Sequence, residues 1–165
     1  GAAAIAYALE KLRKVDLDVD IAVLLSVQEE VTSLGATIGT FRIRPDYAIA
    51  VDVSHAKTPD APNEFEYGGG VIIGMGPNMN RALTRALIRT AKAEGMSYQI
   101  EVMEGNSGTN AWEMQIVAGG TAQALLSIPL RYMHPPIETI QLSDAQSVGD
   151  LIYHFVRQFD GEVRL

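Results

Sequence analysis

An α/β fold, with helices on both faces of a mostly parallel sheet, is what this sequence predicts. Two observations predict it. Short apolar runs that read as strands alternate along the chain with segments whose apolar residues recur at helical spacing. Three of the strand-like runs also end on or near residues that bind metals or move protons. Sites in open α/β sheets lie outside the carboxyl ends of the strands.

The elements follow in order. The chain opens GAAAIAYALEKLRK, where Ile5, Leu9 and Leu12 share one helical face. A domain rarely starts in mid-element, so further sequence upstream is expected. DIAVLLSV (20–27) reads as a strand buried on both faces. SLGATIGTFRI (33–43) is a short helix, and DYAIAVDVS (46–54) a second buried strand. Residues 57–70, rich in Pro, Gly and acids, form a loop. GVIIGMGP (70–77) is a short strand closed by a Gly-Pro turn. Residues 79–94 are a helix with Leu83, Ala86, Leu87 and Ala91 on its core face, stopped by Gly95. YQIEVM (98–103) alternates as a strand does, and EGNSGTN (104–110) is a turn cluster. AWEMQIVAGG (111–120) is a short helix and AQALLSIPL (122–130) a further strand. SDAQ (143–146) reads as a capping box for a last helix with Val148, Leu151, Ile152, Phe155 and Phe159 inward.

Composition narrows the class. The 165 residues are 47% hydrophobic and 20% charged, as in an ordinary globular domain with one core. A net charge of −7 argues against a nucleic-acid partner. There is no cysteine, which excludes disulfides and thiolate metal sites. No apolar run reaches the length of a membrane span. Neither an internal repeat nor an interdomain linker interrupts the chain, so residues 1–165 read as one domain.

The chemistry concentrates at three strand ends. Glu29 and Glu30 follow the first strand, Asp52 lies near the end of the second, and His134 follows the last. Oxygen and nitrogen donors of this kind suit zinc, cobalt or manganese. Neighbouring residues in extended chain point opposite ways. One glutamate could thus hold a metal while the other takes a proton from water. Asp52 is the strongest single signal, because an acid inside an apolar strand needs a partner. An adjacent Glu pair alone is more often a solvated loop, and Asp52 and His134 also have plain structural readings. The turn with Gly108, Thr109 and Asn110 opens a helix, so its N–H groups could receive a substrate carbonyl or simply cap a loop. Arg131 could hold a carboxylate or pair with an acid. His55 and His154 read as structural, and Trp112 and Met114 as core.

The segments SVQEEVTSLGA, AIAVDVSHA, GGGVIIGMGPNMNR, GNSGTNA and SIPLRYMHPPIE occur in this order. With them the chain resembles the dinuclear-metal aminopeptidases, which include glutamyl aminopeptidases and the TET peptidases; some members carry endoglucanase or cellulase labels. The resemblance implies a three-layer α/β/α exopeptidase domain with a mostly parallel mixed sheet. It implies a cytoplasmic enzyme that removes amino-terminal residues from peptides with two zinc or cobalt ions. Glu29 matches the general base, Glu30 and His134 ligands of one metal, and Asp52 a ligand of the second. Gly108, Thr109, Asn110 and Arg131 fall at the substrate side. Asn110 stands where the family usually has Asp. In the family a His-x-Asp segment, an inserted dimerisation domain and a bridging Asp precede the matched region. This chain is therefore expected to be a partial catalytic domain that binds metal poorly alone. A homo-oligomer is possible for the family, but the inserted domain is not in this chain. Two other readings compete: a glycosidase using Glu29 and Asp52, and a non-catalytic fragment or paralogue.

Overall fold

The computed structural model describes residues 1–163. Its elements are α1 (Ala2–Leu12), α2 (Leu34–Ile43), β1 (Tyr47–His55), β2 (Val71–Met75), α3 (Arg81–Ala93), β3 (Tyr98–Val102), α4 (Asn110–Met114), β4 (Ala122–Arg131), β5 (Thr139–Ile140) and α5 (Leu142–Arg157). A single 3₁₀ turn, Val117–Gly119, separates α4 from β4.

The sheet runs β1-β4-β2-β3, with the short β5 beside the end of β4. β1 lies parallel to β4 and β2 parallel to β3, while β2 and β4 are antiparallel. It is thus a mixed sheet. Strand periodicity divides β4 between two layers. Ala124, Leu126 and Ile128 pack with Leu83 and Leu87 of α3 and Val148, Leu151 and Phe155 of α5. Leu125 points the other way, into a small cluster with Ala50, Met79 and Ala111 of α4. Helices cover both faces, giving the α/β/α sandwich. No helix among the described residues is long and apolar enough to cross a membrane.

Helix α3 starts as its sequence dictates: the Asn80 side chain accepts the Leu83 N–H at 2.9 Å, capping the first turn. Helix α5 does not. Its N-cap is Gln141, without a side-chain cap bond, rather than Ser143. The Asp144 carboxylate of the expected capping box is engaged elsewhere, by the N–H groups of Gly68 and Gly70 at 2.8 and 2.9 Å. The α4 segment is also shorter than expected. It ends at Met114, and Ala118, at φ 53°, kinks the 3₁₀ turn that follows.

Two further expectations are corrected. The buried face of α1 is Ala4, Ala8 and Leu12, with Ile5 and Leu9 only half-buried. The reason is the close approach of α1 to α5. A Cβ on Gly149 would stand 2.7 Å from the Ala4 carbonyl oxygen, so only small residues fit at the crossing. The expected strand at 20–27 is not part of the sheet. It has no regular secondary structure, and no backbone group of residues 20–26 bonds another backbone group among the described residues. Ile21, Val23, Leu25 and Val27 are 42–68% exposed. A strand needs a neighbour, and no other described strand lies alongside this one.

Candidate active site

The carboxylate pair sits in a tight turn between the 20–27 segment and α2. The Gln28 carbonyl accepts N–H bonds from Val31, Thr32 and Ser33 at 3.3, 3.0 and 2.7 Å. This closure puts Gln28 and Ser33 in the left-handed region, at φ 63° and 52°. Neither is glycine, and such residues cost about 1–2 kcal/mol each. The strain brackets Glu29 and Glu30, as it does in many sites that must hold a fixed shape. The glutamates are therefore in a turn rather than extended chain. They differ in burial, Glu29 half-buried and Glu30 exposed, and both line one depression.

Asp52 is presented by β1, opposite Ser127 of β4. One of its oxygens accepts the Val53 N–H at 2.8 Å. Burial raises its pKa, against the Val53 bond, and the charge of Glu30 raises it further. Glu29 is raised as well. Burial is the largest cause, followed by Asp52 and Glu30, while His134 pulls it down. Glu29 feels the charges of Asp52, Glu30 and His134, and Asp52 feels that of Glu30. Elements far apart in sequence thus deliver charge to a single rim.

The rim is not a closed cage. His134 is exposed on the loop after β4, at φ 72°, and its backbone N–H donates to Glu138 at 2.7 Å. Among the described residues no three His, Asp or Glu side chains stand close enough to hold one ion.

Beside the glutamates lies a depression of about 220 Å³ lined by Gly108, Thr109, Trp112 and Glu113. Its wall is preformed by local bonds. Thr109 caps the short α4 by accepting the Ala111 N–H at 3.2 Å, and the Gly108 N–H donates to Asn106 at 2.9 Å. Trp112, expected in the core, is half-buried on this wall. Asn110 turns away from the depression and donates to Ser26 Oγ at 2.9 Å, tying the 20–27 segment to α4. Arg131 is engaged by the 57–70 loop. Its Nε donates to the Lys57 carbonyl at 2.6 Å, and the guanidinium lies 4.2 Å from the Tyr67 ring centre.

Sequence reasoning passed over Glu101. It continues the polar phase of an alternating strand with Gln99, so it lacks the signal that singled out Asp52. Its Oε1 accepts from Ser54 Oγ at 2.7 Å, and its Oε2 is buried with no partner among the described residues. Burial holds its pKa above the ordinary 4.5, against the Ser54 bond and His55 and with Glu64 and Asp52 adding to the rise. The folded chain therefore binds this proton more tightly than the unfolded chain. By linkage, stability falls as pH rises from the unfolded value through the folded one. The penalty is absent below that window and complete above it. Replacing Glu101 with Gln should flatten the fall, read as urea midpoints measured between pH 4 and 8. Equal pH slopes in both proteins would contradict the burial account.

Comparisons with known proteins identify relatives of this chain. The lysyl aminopeptidase of Pyrococcus furiosus is 39% identical over 137 residues, which cover 82% of this chain and 39% of that protein. The aminopeptidase structure from the archaeon Desulfurococcus kamchatkensis superposes with a TM-score of 0.80 at 28% identity, over 93% of this chain and 45% of its own. The Pyrococcus horikoshii TET1 peptidase, described as assembling into a tetrahedron or a large octahedral shell, superposes with a TM-score of 0.65. It is 27% identical, over 81% of this chain and 40% of its own. The chain thus spans less than half the length of these relatives. Its match to the M42 glutamyl aminopeptidase family runs through residues 1–151 of the 165, and the chain belongs to that family.

Proposed function

We propose that the complete polypeptide carrying this chain is a metal-dependent aminopeptidase, with this part of it supplying the general base and part of the metal site. The observation that best supports the proposal is that Glu29 and Glu30 line one depression with Gly108 and Thr109, in a chain matched to the M42 family through residues 1–151; Asp52 and His134 add their charges beside Glu29. The donor set fits divalent cations of the zinc or cobalt type: three carboxylates repel one another, and an imidazole adds a nitrogen. In this reading Glu30 and His134 serve one ion and Asp52 the second. Bound ions would supply Lewis acidity towards a peptide carbonyl and make nearby water easier to deprotonate.

The remaining work falls to the chain. Glu29 is the half-buried carboxylate whose proton affinity is raised by burial and by its neighbours. A base that binds its proton more firmly takes one from water more readily and can then pass it to the departing amine. Gly108 and Thr109 wall a depression of about 220 Å³, room for one side chain at the end of a peptide. Asn110 and Arg131 contribute indirectly, by fixing the 20–27 segment and the 57–70 loop. A homo-oligomer of the complete protein is proposed by analogy with the shell-forming TET1 peptidase.

The test is activity of the complete protein on amino-acid anilides. Hydrolysis should be lost with chelator and restored by zinc or cobalt. Chelator-resistant hydrolysis of cellulose, without anilide cleavage, would instead establish the glycosidase reading. The 165-residue chain alone should bind zinc at least about 100-fold more weakly than the complete protein, because its donors are not gathered into one cage. Two tight sites in a calorimetric titration of the isolated chain would refute that expectation.

A further inference from the structure

We infer that Glu113 sets the substrate class of the proposed aminopeptidase: its carboxylate receives the cationic end of an amino-terminal lysine or arginine in the depression beside Glu29 and Glu30. The inference rests on the aminopeptidase reading and names the peptides that such an enzyme prefers. Glu29, Glu30 and Glu113 line one depression of about 220 Å³, and no described Lys, Arg or His lines it with them. Two of these carboxylates already have work in the proposed reaction, Glu29 as the base and Glu30 as a metal ligand. Glu113 has none.

Nothing in the described structure neutralises Glu113. Its side chain is half-buried, yet it forms no hydrogen bond or ion pair with any described residue. Its place in the first turn of α4 suits the helix dipole, but it caps no amide there. The Ala111 N–H is taken by the Thr109 hydroxyl at 3.2 Å and the Trp112 N–H by the Thr109 carbonyl at 3.1 Å. Neutral polar groups of the lining are engaged as well. Ser33 Oγ donates to the Glu29 carbonyl at 3.2 Å, and Asn106 Oδ1 accepts the Gly108 N–H at 2.9 Å. A carboxylate in a walled depression is partly shielded from water, which strengthens its pull on a cation. Trp112 lies on the same wall, and its ring meets no other ring and no cation among the described residues. An indole face can carry the alkyl stem of a lysine or stack on a guanidinium. An acidic side chain in the same place would meet the like charges of Glu113 and Glu29. The chain's net charge of −7 adds a field that draws cationic peptides in.

The test measures kcat/KM of the complete protein on the p-nitroanilides of lysine, norleucine and glutamate. Norleucine has lysine's carbon chain without the ammonium group, so this pair isolates the charge. Lysine should exceed norleucine at least about 10-fold, mostly through KM, and glutamate should be the poorest of the three. Glu113→Gln should lower the lysine-to-norleucine ratio at least about 10-fold, and Glu113→Lys should place glutamate above lysine. A competition on the unaltered protein gives the same answer should a variant fail to fold. Lysinamide should inhibit norleucine anilide hydrolysis at least about 10-fold better than norleucinamide does. Norleucine or glutamate anilide cleaved as well as lysine anilide would overturn the inference and leave the aminopeptidase reading standing. So would an unmoved ratio in a folded Glu113→Gln protein. Cleavage of none of the three anilides would overturn the aminopeptidase reading and this inference with it.

Discussion

Glu29→Gln is expected to lower kcat of the complete peptidase by about 10³-fold, within the range that a general base contributes. Glutamine keeps the size of the side chain and most of its hydrogen bonding, but it cannot accept the proton. Glu29 is half-buried at a turn whose closure depends on the Gln28 carbonyl rather than on the Glu29 side chain, so folding should be little affected. The Ser33 hydroxyl bonds the Glu29 carbonyl oxygen, a contact the substitution leaves in place. KM should change little, and metal content should not change at all, because the ligand role is proposed for the neighbouring glutamate. Glu30→Gln is the companion variant. It should lose metal, read by elemental analysis after dialysis. If Glu29→Gln loses metal and Glu30→Gln keeps it, the two roles are exchanged. If Glu29→Gln retains more than a tenth of the activity, Glu29 is not the base.

Much of the fold, and the half-buried place of Asp52 on β1, could be read from the residues themselves, and the reasons are physical. Asp52 was legible because a carboxylate in an apolar strand is costly without a partner. β1, β2, β3 and β4 were legible because uninterrupted apolar or alternating runs between Gly and Pro clusters have few other solutions. The 20–27 segment shows the limit of that logic. Its composition states that it prefers burial on both faces, and it cannot state whether the strand that would provide burial is at hand. The inward face of α1 was misassigned for a related reason. Ile5 and Leu9 carry the larger apolar surface, but the approach at Gly149 admits Ala4 and Ala8. Arg131 could be read as a ligand or as a strut, and only the fold reveals Lys57 and Tyr67 beside it. The SDAQ capping box is not formed because α5 begins earlier, with Gln141 rather than Ser143 as its N-cap.

Asp144→Ala is the substitution with the largest expected cost to stability, about 3–5 kcal/mol. Asp144 is 1% exposed in the first turn of α5, where a negative side chain also suits the helix dipole. Its two oxygens accept the N–H groups of Gly68 and Gly70, leading into β2. The loop can follow this path because Gly70 adopts φ +85°, where a Cβ would stand 2.2 Å from the Ser97 carbonyl oxygen. Alanine at 144 leaves two amides without their acceptor, one of them in a fully buried bond. Each such orphan costs about 1–3 kcal/mol. The neighbouring tie, from the Val71 N–H to Ser147 Oγ, is longer at 3.3 Å and only partly buried. Ser147→Ala should therefore cost about 1 kcal/mol or less. A domain of this size has only about 5–15 kcal/mol in total, so Asp144→Ala takes away a large share. Urea unfolding should show a lower midpoint with an unchanged slope, since the surface exposed on unfolding stays the same. A loss below about 1 kcal/mol would mean that water reaches the two glycine amides once the carboxylate is gone, and that the 68–70 loop is not held by Asp144.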